Sequence, residues 1–154
     1  MGTMILQGLH VLFGVLWFGG SIFSTFVVIP ATSKIDATHA NPFMAIYAKL
    51  AERYMTPVST LAIIFGIILG FPLHAWSNIG HTYGNTYLIA FVVSLLVYWW
   101  GIFMIGRNIK KGLAHGFGTP EFRAITNRVK KYAGIELLGF FAIFVLMVLL
   151  SFDY

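Results

Sequence analysis

Apolar residues run almost unbroken through four stretches of the chain, at about residues 4–29, 55–71, 86–105 and 132–152. Between them lie short segments rich in Lys, Arg, Pro, Gly and Asn. A helix that crosses a bilayer needs about 20 mostly apolar residues. The pattern therefore predicts an all-α integral membrane protein, a four-helix bundle folded as a single transmembrane domain over residues 1–154. The first stretch contains one histidine, His10, and the fourth contains one carboxyl, Glu136; the second and third contain neither. The first stretch reads as a span and not as a secretory leader, because it has no basic start and no small-residue cleavage site and is too long.

Punctuation refines the boundaries. Pro30 is expected to close the first span. Asn41-Pro42 has the form of an N-cap followed by proline at the first helical position, so the second helix is expected to begin near Pro42 and run on through Pro57 with a kink. Thr119-Pro120-Glu121 is a second such start. From there Phe122, Ile125, Val129 and Tyr132 recur at helical spacing. Two helices thus extend beyond the membrane. Gly112 to Gly118 reads as a flexible turn between spans three and four.

Composition narrows the class. The chain is 58% hydrophobic and only 10% charged, with mean hydropathy +0.83, whereas soluble domains are about 25% charged. That excludes an ordinary cytosolic enzyme, a disordered tail and a nucleic-acid-binding module. The absence of cysteine excludes disulfides, thiolate metal sites, iron–sulfur clusters and covalent c-type haem. The net charge of +5 has a topological origin. Lys34, Lys49 and Arg53 lie between spans one and two. Arg107, Lys110, Lys111, Arg123, Arg128, Lys130 and Lys131 lie between spans three and four. Both segments fall on one side of a four-span bundle, and basic segments stay cytoplasmic. The expectation is a multi-pass protein of the cell membrane with N and C termini outside, the two helix extensions in the cytoplasm, and a basic end against anionic headgroups of the lipid bilayer.

Polar groups inside a bilayer are costly and need a reason. His10 begins a stripe of Gly14, Trp17, Ser21, Ser24 and Thr25, opposite a face of Leu12, Val15, Leu16, Phe23 and Phe26. The stripe is expected to face the bundle interior. Two readings of His10 stay open: a histidine hydrogen-bonded to a neighbouring helix, or a ligand to haem iron or another metal. Small residues recur at Ser59, Ala62, Gly66 and Gly70, and Ser94, Tyr98 and Gly101 form a further row. Such rows serve close helix packing or leave room for a flat macrocycle. Gly14, Trp17, Gly66 and Tyr98 are therefore candidate cofactor contacts. Trp99, Trp100, Phe140 and Phe141 are available to wall a porphyrin or to supply bulk. His74 and His81, in the outer loop, are candidate second metal ligands or solvated loop residues. Glu136 is a proton-relay group and the candidate catalytic residue, or a partner for a cationic or amine-bearing ligand, or a carboxyl that is neutral or paired with Arg53, Arg107 or Lys130. A copper site from Met1, Met4 and His10 is the alternative cofactor assignment. Nucleotide-binding loops, zinc-protease motifs and a Ser/His/Asp set are absent, with Asp153 at the terminus.

Two motifs carry a family resemblance. Leu9-His10-Val-Leu-Phe-Gly-Val-Leu-Trp17-Phe-Gly19-Gly20, with Met55-Thr-Pro57 and Phe65-Gly66 in the second helix, resembles the CopD-like membrane superfamily, which includes the HemJ-type protoporphyrinogen oxidases. The resemblance covers the first two helices. It implies a four-helix membrane bundle that binds haem b, with His10 as axial ligand. The third-helix lysine and histidine of the HemJ-type enzymes have no counterpart between Tyr87 and Gly101, so protoporphyrinogen oxidation is not expected. The resulting expectation is a haem b-binding membrane redox protein that exchanges electrons with a quinone, a tetrapyrrole or another redox partner. Its alternative is a metal, haem or small-solute binding or transport protein without redox catalysis. Assembly as a homo-oligomer is left open.

Overall fold

The computed structural model describes residues 1–116 and 118–152; Phe117, Asp153 and Tyr154 lie outside the described residues. Helices form because long apolar stretches in a lipid-like setting must satisfy every backbone N–H and C=O internally. The first rod is α1 (Gly2–Phe23), a π-helical segment π1 (Ser24–Val28) and α2 (Ile29–Thr32). The second is α3 (Ala37–Leu69). The third is α4 (Thr82–Trp100), a π-helical segment π2 (Gly101–Gly106) and α5 (Arg107–His115). The fourth is α6 (Pro120–Phe152). All four rods are long and apolar enough to cross a membrane, and no strand occurs among the described residues.

The first rod does not stop at Pro30; it continues to Thr32. Proline lacks an N–H and crowds the carbonyl one turn back. Here the turn before it is π-helical, with the Ile29 N–H reaching the Ser24 carbonyl five residues earlier. The Ser33 N–H then bonds the Ile29 carbonyl at 3.3 Å, restoring the α-helical spacing. The second helix begins one turn before Pro42. Asp36 caps it by accepting from the His39 N–H, so Asn41 and Pro42 lie inside the helix. The third rod likewise outlasts the expected span and ends at His115, where Gly116 adopts φ 82° and Gly118 φ 87°. These left-handed values suit glycine. Phe117, within the anticipated turn, lies outside the described residues. The fourth helix starts at Pro120 as expected, and the Thr119 hydroxyl oxygen accepts from the Phe122 N–H at 3.2 Å.

Consecutive rods run antiparallel, α1 lying along α3 and α4 along α6. At the centre Trp17, Val58, Ala62, Val97 and Phe140 form the core. A second cluster of Ala75, Tyr87 and Leu150 closes the end that holds the 70–81 turn and the C-terminal part of α6. Outward faces are apolar; Leu12, Leu138 and Phe141 are among the exposed residues. Contiguous apolar surface of that kind matches a lipid environment. All ten Lys and Arg residues lie toward the opposite, basic end.

Candidate functional site

The predicted interior stripe of α1 faces inward. Trp17 and Ser21 are buried, whereas Leu12, Val15, Phe23 and Phe26 are exposed. The residues of the stripe serve two separate places. Near the 70–81 turn, His10 is half-buried and its Nδ1 lies 2.9 Å from the Ala62 carbonyl oxygen. A carbonyl can only accept, so Nδ1 carries the proton and the Nε2 lone pair is left available. The imidazole rests on Gly66, where a Cβ would stand 3.0 Å from His10 Cε1. The same turn of α3 is held from outside: the Tyr87 hydroxyl donates to the Gly66 carbonyl at 2.6 Å, and Trp76 Nε1–H donates to the Ile67 carbonyl at 3.0 Å. Gly14 has no such neighbour, since a Cβ there would meet nothing within 4 Å.

The candidate second ligands do not join His10. His74, in the turn at φ 54°, and His81, at the N-cap of α4, are both exposed. Among the described residues no three His, Cys, Asp or Glu side chains gather as a metal-ligand group. Met1 and Met4 are exposed on the helix whose His10 turns inward to Ala62. Of the aromatic residues available to wall a porphyrin, Trp99 and Phe141 face outward and Phe140 belongs to the core. Trp100 Nε1–H donates to the Tyr132 carbonyl at 3.0 Å.

The large cavity of the protein lies in the other half of the bundle. It has a volume of about 1200 Å³ and is lined from all four rods. Its deep part is formed by Trp17, Ser21, Ser59, Tyr98, Gly101 and Glu136. Serine hydroxyls can sit in this helical interior because they bond to their own helix, as Ser59 does to the Met55 carbonyl at 2.7 Å. The Tyr98 and Thr60 hydroxyls lie 3.2 Å apart, and nearer the basic end the Ser24 and Tyr47 hydroxyls lie 2.6 Å apart. Lys49, Arg107, Lys110, Arg123 and Lys130 also line the cavity and are exposed, which sets them at its mouth. Lys110 is paired with Glu52 at 2.7 Å.

Glu136 is 8% exposed. Among the described residues it pairs with none of Arg53, Arg107 and Lys130 and has no hydrogen-bond partner. Its Oε1 would lie only 2.8 Å from a Cβ at Gly101, so the absence of a side chain there makes room for the carboxyl. Trp17, Tyr98 and Glu136 thus belong together, whereas His10 and Gly66 form a tight contact at the other end. The cavity also uses Ser59, from the small-residue row of the second span, Met55, and Tyr47, which carried no signal as a ligand contact in the sequence. The one available sign was the recurrence of Ser and Thr in the basic half of the spans.

No protein-family model, curated protein or solved structure matches this chain, so no relative contributes a residue role to the site.

Proposed function

We propose that the protein is a multi-pass membrane protein that takes a small ligand into the cavity of its basic half, as a binding or transport protein. In this reading the basic end lies in the cytoplasm, both termini lie outside, and the cavity opens toward the cytoplasmic face. The observation that carries it is the cavity itself: about 1200 Å³ between four rods, with an unpartnered carboxyl in its deep wall. Ligand sites are concave, largely apolar and equipped with a few convergent polar groups, and this cavity has that character. Tight packing is the ordinary use of a bundle interior, and it does not require a space of this size. Ala48 lines the cavity from α3 and is half-buried. The test is a thermal-shift screen of soluble and amphiphilic small molecules against the detergent-solubilised protein and Ala48→Trp. At least one chemical class is expected to raise the Tm of the native protein and to lose that effect in the variant. A screen in which the two proteins respond alike overturns the reading.

A second reading, a haem b-binding redox protein ligated through His10, is favoured by one observation. The Nδ1 bond to the Ala62 carbonyl fixes the tautomer that leaves Nε2 as a ligand nitrogen. The imidazole fits axial ligation. Of the other residues assigned to that group Gly66 lies against the imidazole, whereas Trp17 and Tyr98 line the cavity and His74 and His81 lie exposed at the turn end. A purified sample with a Soret band that vanishes in His10→Ala would favour this reading. A colourless sample from haem-replete cells would end it.

A further inference from the structure

The deep wall of the cavity is built by three rods. Glu136 comes from α6, Trp17 from α1 and Tyr98 from α4. One turn beyond Glu136, Phe140 packs edge-on against Trp17 with ring centroids 4.9 Å apart. Trp17 in turn meets Tyr98 edge-on at 6.4 Å. Gly101, against which the carboxyl rests, lies one turn beyond Tyr98. Carboxyl and rings therefore share one corner of the cavity. Glu136, more than nine-tenths buried and without a partner among the described residues, faces that space.

A buried carboxylate is unfavourable unless a positive charge or several donors sit against it. The cations that line the cavity do not supply the charge. Lys110 is engaged by Glu52, and the Arg107 guanidinium stands 5.9 Å from the Phe103 ring centroid. Lys49, Arg123 and Lys130 are exposed at the mouth. Lys130 is six residues before Glu136, which sets their backbones about 9 Å apart along the helix. The corner thus holds a carboxyl beside aromatic rings, with no protein cation in place to favour its charged form.

Resting on the reading of the cavity as a ligand site, we propose that Glu136 anchors the cationic head of an organic ammonium ligand. Trp17 and Tyr98 contact that head through their rings. A carboxylate with Trp and Tyr is the side-chain set that recognises alkylammonium groups, by charge and by cation–π attraction. The apolar remainder of the cavity takes the apolar body of the ligand. A bare metal ion is disfavoured, since no three ligating side chains converge among the described residues. The exposed basic mouth is screened by salt over about 8 Å, and it favours ligands whose far end is neutral or anionic.

The experiment uses the full chain in dodecyl maltoside and two probes of nearly equal shape. Benzyltrimethylammonium carries the charge; benzyldimethylcarbinol does not. Binding is measured by calorimetry for the native protein, Glu136→Gln and Gly101→Ala. The native protein is expected to prefer the ammonium over the carbinol by about tenfold or more, the effect of roughly one well-placed charge. Glu136→Gln should abolish that preference and leave carbinol binding unchanged. Gly101→Ala, whose Cβ displaces Oε1, should weaken ammonium binding while the carboxyl is retained, which keeps the test valid if Glu136→Gln misfolds. Equal binding of both probes, unaffected by Glu136→Gln, overturns the cationic assignment and leaves the cavity as a ligand site. Failure of both probes also overturns it, and the small-molecule screen with Ala48→Trp then decides the fate of the cavity reading separately.

Discussion

Two glycines on the stripes that face the bundle interior have opposite surroundings. A Cβ at Gly66 would lie 3.0 Å from His10 Cε1 and 3.2 Å from its Nδ1, whereas one at Gly14 would meet nothing within 4 Å. Gly66→Leu should therefore destabilise the bundle by about 1–3 kcal/mol through overpacking. Gly14→Ala should be neutral or stabilise by up to about 1 kcal/mol through helix propensity. Unfolding in mixed micelles measures both, and equal effects would refute the contact. Tyr87 offers a cleaner deletion, since Tyr87→Phe removes only the hydroxyl that donates to the Gly66 carbonyl. A loss of about 1 kcal/mol is expected in the same assay. The inward direction of His10, Trp17 and Ser21 was legible from helical spacing alone. That His10 meets Ala62 and Gly66 was not, because the depth of one helix against another is set by packing across the interface.

Capping decides where the elements begin. Asp36 accepts from the His39 N–H and opens α3 one turn before the Asn41-Pro42 pair that resembles a start. Hydrogen bonds from Thr38 and His39 hold the Asp36 carboxyl below its ordinary value of 3.8. A group with a lowered folded-state pKa contributes stability above its unfolded value, and that contribution is lost as the pH falls through the folded value. The first turn of α3 should therefore stay intact at neutral pH and fray below about pH 3.8. Amide exchange at His39 reports this, and Asp36→Ala should show the frayed behaviour at every pH. At α6, Thr119→Ala should cost about 0.5–2 kcal/mol by removing the acceptor for the Phe122 N–H. Proline, a strong break signal in sequence, is absorbed at Pro30 by the π turn before it. A local residue pattern cannot reveal that accommodation, because it depends on whether the surrounding helix is held in place on both sides.

At the scale of the molecule, all ten basic residues lie toward one end and the chain has no cysteine. Single cysteines are therefore unambiguous reporters of orientation. Ile79 is exposed in the turn at the non-basic end, and Ala114 is exposed near the end of α5. An impermeant thiol reagent added to intact cells is expected to label Ile79→Cys, and to label Ala114→Cys only after lysis. The reverse pattern would place the termini in the cytoplasm and turn the cavity mouth outward.

The apolar stretches determine four helices long and apolar enough to cross a membrane, because length and hydrophobicity are properties of each segment alone. Binary spacing likewise determines which face of α1 turns inward, since 3.6 residues per turn place Trp17 and Ser21 on one side and Val15 and Phe26 on the other. The location of the space inside the bundle was decided only by the tertiary structure. At the His10 end, small residues on α3 and the Trp76 and Tyr87 anchors draw the helices together. Toward the basic end the four rods line a cavity that no single segment encodes. Small residues occur at both places, Ser59 and Gly101 at the cavity and Ala62 and Gly66 at the contact, and a sequence records their size but not what the neighbouring helix places opposite them. For that reason Glu136 could be recognised as an intramembrane carboxyl from one segment. Its setting beside Trp17, Tyr98 and Gly101 required the packing of three.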